Sequence, residues 1–325
     1  MKKLIVLSIA LAVLLSANVW SRGEPEPEVA FPTREIEIYV GFAAGGGTDV
    51  LARRIAEGME PELGVPVIID NRPGAGGLVA VQQVVNARPN GYTLAIILGN
   101  QFLQKHFKQA DAWMDPLTEV TLIGVFNRDA WGIAVPVDAP YDTFSEFVDY
   151  ARNNPGLPVG SGPPGTLYYW TWQAVVAHTG IDLTIVPYEG TALSLSAAAG
   201  EEVVAAGAGP GEAASLMDAG LVKMIGVAAE ERVSVFPDIP TFREQGFDIV
   251  IGPWRGLVGP AGLPDTVRDR LANALENAYN SQRFQDFIRE QGHGPFFRGP
   301  EDGMGFFREE DTFFFDLMDA QGQAR

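Results

Sequence analysis

The sequence of 325 residues contains no cysteine. Disulfide bonds, thiolate metal ligands and lipid attachment to an N-terminal cysteine are therefore excluded. Histidine is also scarce, because the chain has only His106, His178 and His293, and these do not form the paired motif that binds zinc on a helix. We expect neither a metal ion nor a cofactor.

Basic residues are few, with 23 lysines and arginines against 41 acidic residues and a net charge of −18. Such a surface repels nucleic acid and anionic lipid, so neither is an expected partner. It also repels anionic ligands at long range. Any anion site must therefore depend on short-range contacts.

Long apolar runs are missing except at the start, where the run from Leu4 to Leu15 follows Met1-Lys2-Lys3. This pattern predicts a signal peptide over residues 1–21, with cleavage after Ser21 or alternatively near Ala17. Twelve residues are too few to span a bilayer, so a retained membrane anchor is the weaker alternative. An acidic, extended leader over residues 22–30 and an exported, periplasmic protein of net charge −20 follow from this interpretation.

A glycine-rich stretch from Gly41 to Asp49 connects a strand-like run, Ile36 to Val40, with an amphipathic helical pattern. We predict that Thr48 or Asp49 is the N-cap of this helix. Glycines let the backbone approach a ligand closely, and the first-turn N–H groups with the helix dipole favour an anion. The alternative is a tight strand-to-helix turn with no ligand.

Similar turns recur further along the chain, at Asn71 to Gly77 and at Pro158 to Thr166. The alternation of strands and helices around them predicts parallel sheets whose ligands bind at the carboxyl ends of the strands. Turns of the same polarity in two blocks of the chain predict two α/β lobes with a central ligand cleft that closes by hinge motion. We place the first lobe at residues 31–125 and 250–325 and the second at residues 126–249.

Several short motifs, in this order and spacing, resemble the Bug receptors, which are the periplasmic substrate-binding receptors of tripartite tricarboxylate transporters. The resemblance covers nearly all of the chain after the leader and implies a type II periplasmic-binding-protein fold. The motifs are Ala44-Gly45-Gly46-Gly47-Thr48-Asp49, Asn71-Arg72-Pro73-Gly74-Ala75-Gly76-Gly77, Gly91-Tyr92-Thr93-Leu94, Pro187-Tyr188-Glu189-Gly190, Pro237-Asp238-Ile239-Pro240-Thr241, and Gly256-Leu257 with Pro260-Ala261-Gly262.

The resemblance implies a small organic carboxylate as ligand, held largely by backbone amides and bridging waters from the two facing turns. It also implies membrane subunits of a tripartite tricarboxylate transporter as partners, and we expect a monomer. The expected ligand-binding residues are Phe42, Ala44, Gly45, Gly46, Thr48, Asp49, Asn100, Gln101, Ser161, Gly165, Thr166, Tyr169, Tyr188, Thr191 and Gly209.

The chain departs from the family pattern at several positions of these turns. Tyr169 stands where the family usually has histidine, Glu189 where lysine is common, and Gly41 and Ala43 where prolines are usual. The small stretch Ala206 to Gly209 replaces an Asp-Asn pair. The bulky residues Tyr168, Tyr169, Trp170 and Trp172 either line a pocket for a ligand with an apolar body or pack in the lobe core.

An exported α/β enzyme acting on a small carboxylate is the alternative function. It finds little support in the motifs, because Gly160-Ser161-Gly162 lacks the spacing of a hydrolase nucleophile elbow. The turn at Gly45 to Gly47 has neither the lysine of a phosphate loop nor a third glycine at Val50. We therefore expect a receptor without catalytic residues.

Overall fold

A computed structural model describes residues 31–108 and 114–325. The predicted signal peptide and acidic leader lie outside the described residues. Residues 34–325 form one structural unit, and both sheets of the protein lie within it. None of the described helices combines the length and the apolar character that a bilayer crossing requires.

The described residues form ten strands and ten helices, which alternate along most of the chain before three consecutive helices at its end, and a short 3-10 turn at Ala75–Gly77 precedes the second helix. The strands are β1 (Ile36–Val40), β2 (Val67–Asn71), β3 (Thr93–Leu98), β4 (Val120–Arg128), β5 (Gly132–Pro136), β6 (Leu157–Ser161), β7 (Leu183–Pro187), β8 (Ala205–Ala208), β9 (Val222–Val227) and β10 (Trp254–Pro260). The helices are α1 (Gly47–Leu63), α2 (Leu78–Val85), α3 (Gly99–His106), α4 (Phe144–Asn153), α5 (Leu167–Thr179), α6 (Thr191–Ala199), α7 (Pro210–Asp218), α8 (Asp265–Asn280), α9 (Gln282–Glu290) and α10 (Pro300–Asp319).

The strands form two five-stranded mixed sheets, one in each lobe. The first sheet has the order β2-β1-β3-β10-β4, in which β1 is parallel to both neighbours and β10 is antiparallel to β3 and β4. The second sheet repeats this plan in the order β7-β6-β8-β5-β9. The prediction of two α/β lobes is therefore confirmed.

The chain passes between the sheets twice, through residues 129–131 after β4 and through residues 228–253 after β9. The apolar runs around Leu122 and Trp131 are two strands, β4 and β5, in different sheets. The predicted lobe border after residue 125 falls inside β4, which continues to Arg128.

Helix starts follow two different rules in this protein. Thr143 caps α4, because its Oγ1 accepts a hydrogen bond from the Glu146 amide over 3.1 Å and the Glu146 carboxylate accepts one from the Thr143 amide over 3.2 Å. The prediction for α1 is wrong. Its N-cap is Gly46, and Thr48 and Asp49 lie within the first turn.

Aromatic side chains fill the core of the second lobe. Trp131 packs edge to face against Trp172 and Phe242, and the three rings are fully buried. Trp170 is also buried, and the Trp172 indole donates a hydrogen bond to the Gly160 carbonyl over 3.0 Å. The bulky residues of α5 were expected either to line a pocket or to pack in the lobe core. Its tryptophans, Trp170 and Trp172, pack in the core.

The lobes also touch away from the crossing segments. Helix α5 of the second lobe contacts α3 and α10 of the first. At this contact the Trp170 ring lies edge to face with the Phe107 ring, with centroids 5.7 Å apart, and both side chains are buried. The two sheets are thus joined by the chain crossings and by an apolar contact between helices.

Candidate functional site

The first glycine-rich turn is held in place by Asp49. The Asp49 carboxylate accepts hydrogen bonds from the Gly45 amide over 2.8 Å, from Arg53 Nε over 3.0 Å and from Asn71 Nδ2 over 2.8 Å. Burial would raise the pKa of Asp49, but the bonds from Arg53, the Gly45 amide and Asn71 outweigh it and lower that pKa. Asp49 is therefore an ionised residue that fixes this turn, and both of its carboxylate oxygens already accept hydrogen bonds from the protein.

The turn that Asp49 holds in place leads directly into the start of α1. The first amides of a helix have no intrahelical partner, and the helix dipole adds positive potential there. Gly45 has a φ of +82°, a left-handed conformation that suits glycine, and it is exposed together with Ala44 and Gly46. A Cβ placed on Gly47 would have only one atom of another element within 4 Å in the described structure, Arg255 Nη2 at 3.9 Å. The backbone at Gly47 thus borders open space, whereas the amides of Gly45 and Gly46 already donate to Asp49 and to the Ala43 carbonyl.

The facing turn in the second lobe starts at Ser161, the last residue of β6. The side-chain hydroxyl of Ser161 is buried and has no hydrogen-bond partner among the described residues. Thr166, the N-cap of α5, donates its hydroxyl hydrogen to the Pro163 carbonyl over 2.7 Å, which ties the turn to the helix start. Gly165, beside it, is exposed.

Asn100 and Gln101 belong to the first turn of α3, directly after β3. Both carboxamides donate to the Gly76 carbonyl, over 3.3 Å and 3.2 Å, and the Gln101 Oε1 accepts from the Leu98 amide over 2.8 Å. Gln101 is fully buried, so its side chain positions the second glycine-rich turn. The Phe42 ring borders the same turn at Gly77.

The remaining predicted residues lie around the ends of the second sheet. Tyr188 is joined to Ser161 by a backbone hydrogen bond of 2.8 Å, and Thr191 begins α6 three residues later. The Tyr169 hydroxyl accepts from Gln173 over 3.0 Å. Gly209 is the N-cap of α7, and its amide donates to Glu212 Oε2 over 2.7 Å. The structure thus gathers the predicted residues at helix starts and strand ends in two groups, one for each lobe.

A buried ionic cluster beside the first turn was missed by the sequence analysis. Arg255 of β10 donates from Nε to Thr48 Oγ1 over 3.3 Å and from Nη1 to Asn127 Oδ1 over 2.6 Å. Nη1 also donates to Asp129, at the first crossing between the lobes. Arg255 is 8% exposed, so a buried cation lies beside the turn at which we expected an anion to be held largely by backbone amides, without an arginine.

Asp129 is saturated with donors. Its Oδ1 accepts from Asn127 Nδ2 over 2.8 Å and from the Gly294 amide over 3.1 Å, and it lies 3.0 Å from His293 Nδ1. Burial would raise the pKa of Asp129, but the Arg255 guanidinium and the bonds from His293 and Asn127 hold that pKa well below its usual range. Asp129 is therefore a carboxylate that fixes the position of Arg255.

Tyr168 brings the second lobe close to this cluster. Its hydroxyl donates to Glu212 Oε2 over 3.1 Å. Burial raises the pKa of Tyr168, and the charges of Glu212, Arg255 and Asp129 all act on it. The phenol of α5 therefore lies near the guanidinium of the first lobe, so the groups around Arg255 come from both lobes.

Other features of the structure lie apart from these turns. A cavity of about 430 Å³ is lined by Asp129, His293, Tyr279, Phe296 and further residues of the crossing segments, and none of the predicted ligand-binding residues lines it. Among residues 31–108 and 114–325, no three histidine, aspartate or glutamate side chains are grouped as ligands for a metal ion.

Comparisons with known proteins agree with this architecture. The model of the tripartite tricarboxylate transporter family receptor, TctC, matches residues 51–318. A UPF0065 protein of Bordetella pertussis is 33% identical over 284 residues, which are 86% of this chain and 87% of that protein. A TctC solute-binding protein from Polaromonas, solved without ligand, superposes with a TM-score of 0.79 at 28% identity and covers 90% of this chain and 100% of its own. Rpa4515 of R. palustris, solved with adipate, has a TM-score of 0.76 at 26% identity over 91% of this chain and 99% of its own.

Proposed function

Because this chain belongs to the tripartite tricarboxylate transporter receptor family, we propose that it captures a small organic carboxylate in the periplasm and delivers it to the membrane subunits of a tripartite transporter. The observation that carries the proposal is the pair of glycine-rich helix starts, at Gly46 and at Thr166, one in each lobe. Rpa4515, a structural neighbour, binds adipate, which supports a carboxylate ligand.

The physical reason concerns short-range donors in an acidic protein. A net charge of −18 repels an anion at long range, but this repulsion is screened within about 8 Å at physiological ionic strength. Amide groups at helix starts act on direct contact, where a hydrogen bond to a charged oxygen is roughly twice as strong as one to a neutral oxygen. The local donors therefore decide whether an anion binds.

The proposed ligand contacts divide by type of group. The amides of Gly47 and Thr48 at the start of α1, and those at the start of α5, face the carboxylate. The Ser161 hydroxyl, buried without a partner in the described structure, donates to the ligand. Asp49 and Gln101 act indirectly, because their side chains hold the turns in place.

The test is calorimetric titration of the exported protein with succinate, malate, glutarate, adipate and benzoate, each paired with its carboxamide. We expect at least one carboxylate to bind reversibly and to raise the melting temperature, with its amide much weaker. Binding of none of the acids would contradict the proposal. Conversion of a bound acid into a product, followed by chromatography, would favour the alternative of an exported enzyme.

The partnership with a transporter needs a separate experiment. Deleting the gene should abolish cellular uptake of the bound acid, and a plasmid copy should restore it. Uptake that continues unchanged in the deletion strain would remove the transport role while leaving the binding activity in place.

A further inference from the structure

We propose that Arg255 contacts the carboxylate of the ligand directly through Nη2, so that a fixed cation completes the amide site at the start of α1. The inference rests on the proposed function, and it names a specificity-determining residue within that site. It replaces a site built from backbone donors alone with one that also contains a guanidinium.

The first argument is the orientation of the guanidinium. The donors at Nε and Nη1 are used by Thr48, Asn127 and Asp129. These bonds fix the plane of the group, and in the described part of the chain they leave the two N–H bonds of Nη2 without an acceptor. A guanidinium that is oriented in advance loses little conformational freedom when it binds an oxyanion.

The second argument is where Nη2 lies. It is 3.9 Å from the position that a Cβ on Gly47 would occupy, at the first residue of α1. An oxyanion in front of the Gly47 and Thr48 amides would therefore meet Nη2 at the same time. A carboxylate has two oxygens, and these donors approach it from two directions.

The third argument concerns charge. Asp129 is partly buried beside the buried Arg255 and forms an ion pair with it, so the pair is neutral when no ligand is present. Asp129 accepts from Nη1 and leaves the opposite edge of the guanidinium for the ligand. Asp129 is thus a positioning residue, and Arg255 is the contact residue.

A closing movement would add the Ser161 hydroxyl, a donor of the second lobe, near the carboxylate. Tyr168 of α5 lies close enough to Arg255 and Asp129 for their charges to act on its phenol. The Ser161 hydroxyl belongs to the same lobe and has no partner in the described structure. The carboxylate would therefore be enclosed between Arg255 on one side and the α5 start on the other.

The test compares the binding of an acid and of its amide to the wild type and to a variant protein. Removing Arg255 alone leaves the Asp129 carboxylate without its cationic partner, so the principal variant is the double substitution Arg255→Met with Asp129→Asn, which removes both charges of the pair. Adipate and adipamide, or the strongest binder of the titration panel and its amide, are the probes. Circular dichroism and thermal melting establish that each variant is folded.

In the wild type we expect the acid to bind about tenfold to a hundredfold more tightly than the amide, as a charge-assisted hydrogen bond requires. In the double variant this ratio should fall to within about threefold of unity if Arg255 supplies the charge recognition. An unchanged ratio would overturn the inference and leave the proposed function intact. A wild type that binds no acid would instead overturn the proposed function together with the inference.

A second variant leaves the ion pair untouched. Gly47→Ala places a methyl group in front of Nη2 at ordinary contact distance, so the fold should tolerate it. We expect at least a tenfold loss of affinity for the acid and a much smaller effect on the amide. Gly305→Ala on α10, where a Cβ would have no described neighbour within 4 Å, is the matched control and should bind like the wild type.

Discussion

The carboxylate of Asp49 reaches back along the chain and accepts a hydrogen bond from the Gly45 amide, with 2.8 Å between oxygen and nitrogen. This bond closes the glycine-rich turn onto the helix that follows it. The shape of the anion site that we propose in the first lobe therefore depends on a side chain whose two oxygens already accept hydrogen bonds from the protein.

We predict that Asp49→Ala lowers both stability and affinity. The variant removes three hydrogen bonds to a buried carboxylate and leaves Asn71 and the Gly45 amide without this acceptor, so the free energy of unfolding should fall by about 1–3 kcal/mol. Urea titration measures this loss, and calorimetry measures the weaker binding of adipate. Asp149→Ala, which removes an exposed ion pair with Arg152, should change stability by less than about 0.5 kcal/mol.

Two buried serines offer a matched pair of substitutions. The hydroxyls of Ser161 and Ser194 are both about 1% exposed and lack a partner in the described structure, so replacing either with alanine should leave the free protein as stable or slightly more stable. Only Ser161 lies at the turn that we assign to the ligand. Ser161→Ala should weaken carboxylate binding about fivefold to tenfold, whereas Ser194→Ala should not. Equal affinities for both variants would place the ligand elsewhere.

Acid should destabilise the protein through Asp129. In the folded state the pKa of Asp129 lies well below its ordinary value of 3.8. The ionised carboxylate therefore stabilises the fold fully at pH values above this ordinary pKa. This contribution is lost as the pH falls below about 4 and protons bind preferentially to the unfolded chain. Unfolding in urea at a series of pH values should show a shallower acid dependence in Asp129→Asn than in the wild type. Parallel curves for the two proteins would contradict the assignment.

Tryptophan fluorescence should report lobe movement through one residue. The Trp170 ring contacts Phe107 of the other lobe, while Trp172 contacts Trp131 and Phe147 within its own lobe. Saturating carboxylate should therefore change the emission of the wild type and of Trp172→Phe, but should change that of Trp170→Phe much less. A response of unchanged size in Trp170→Phe would contradict this prediction and would show that another tryptophan, such as Trp254 beside Arg255, reports the ligand.

The local parts of the structure could be predicted from sequence because local chemistry specifies them. Thr143 with Glu146 is a capping box three residues apart, and the helix that follows them begins where this motif places it. Gly46 as the N-cap of α1 was missed, because the usual signal is a polar side chain at the cap itself. Here the acid lies three residues after the cap and acts on the amide before it.

The cluster around Arg255 could not be predicted for a different reason. Its partners Thr48 and Asp129 are 207 and 126 residues away along the chain, so no local pattern connects them. One feature of the sequence did point to a buried ion pair. An arginine within the otherwise apolar strand Trp254–Pro260 is costly to bury alone, which implies an acidic partner from another element.

Strand β10 lies between β3 and β4, although more than a hundred residues of the second lobe separate it from either in sequence. The second sheet uses only strands from one continuous stretch, β5 to β9, so all of its strands are present once that stretch has been synthesised. The first sheet has an open gap until residue 260 arrives, with two unpaired edges on either side of it. A chain that stops before Trp254 would thus combine a second lobe with a complete sheet and a first lobe with unpaired, aggregation-prone strand edges. Such a chain should be a substrate for chaperones and proteases.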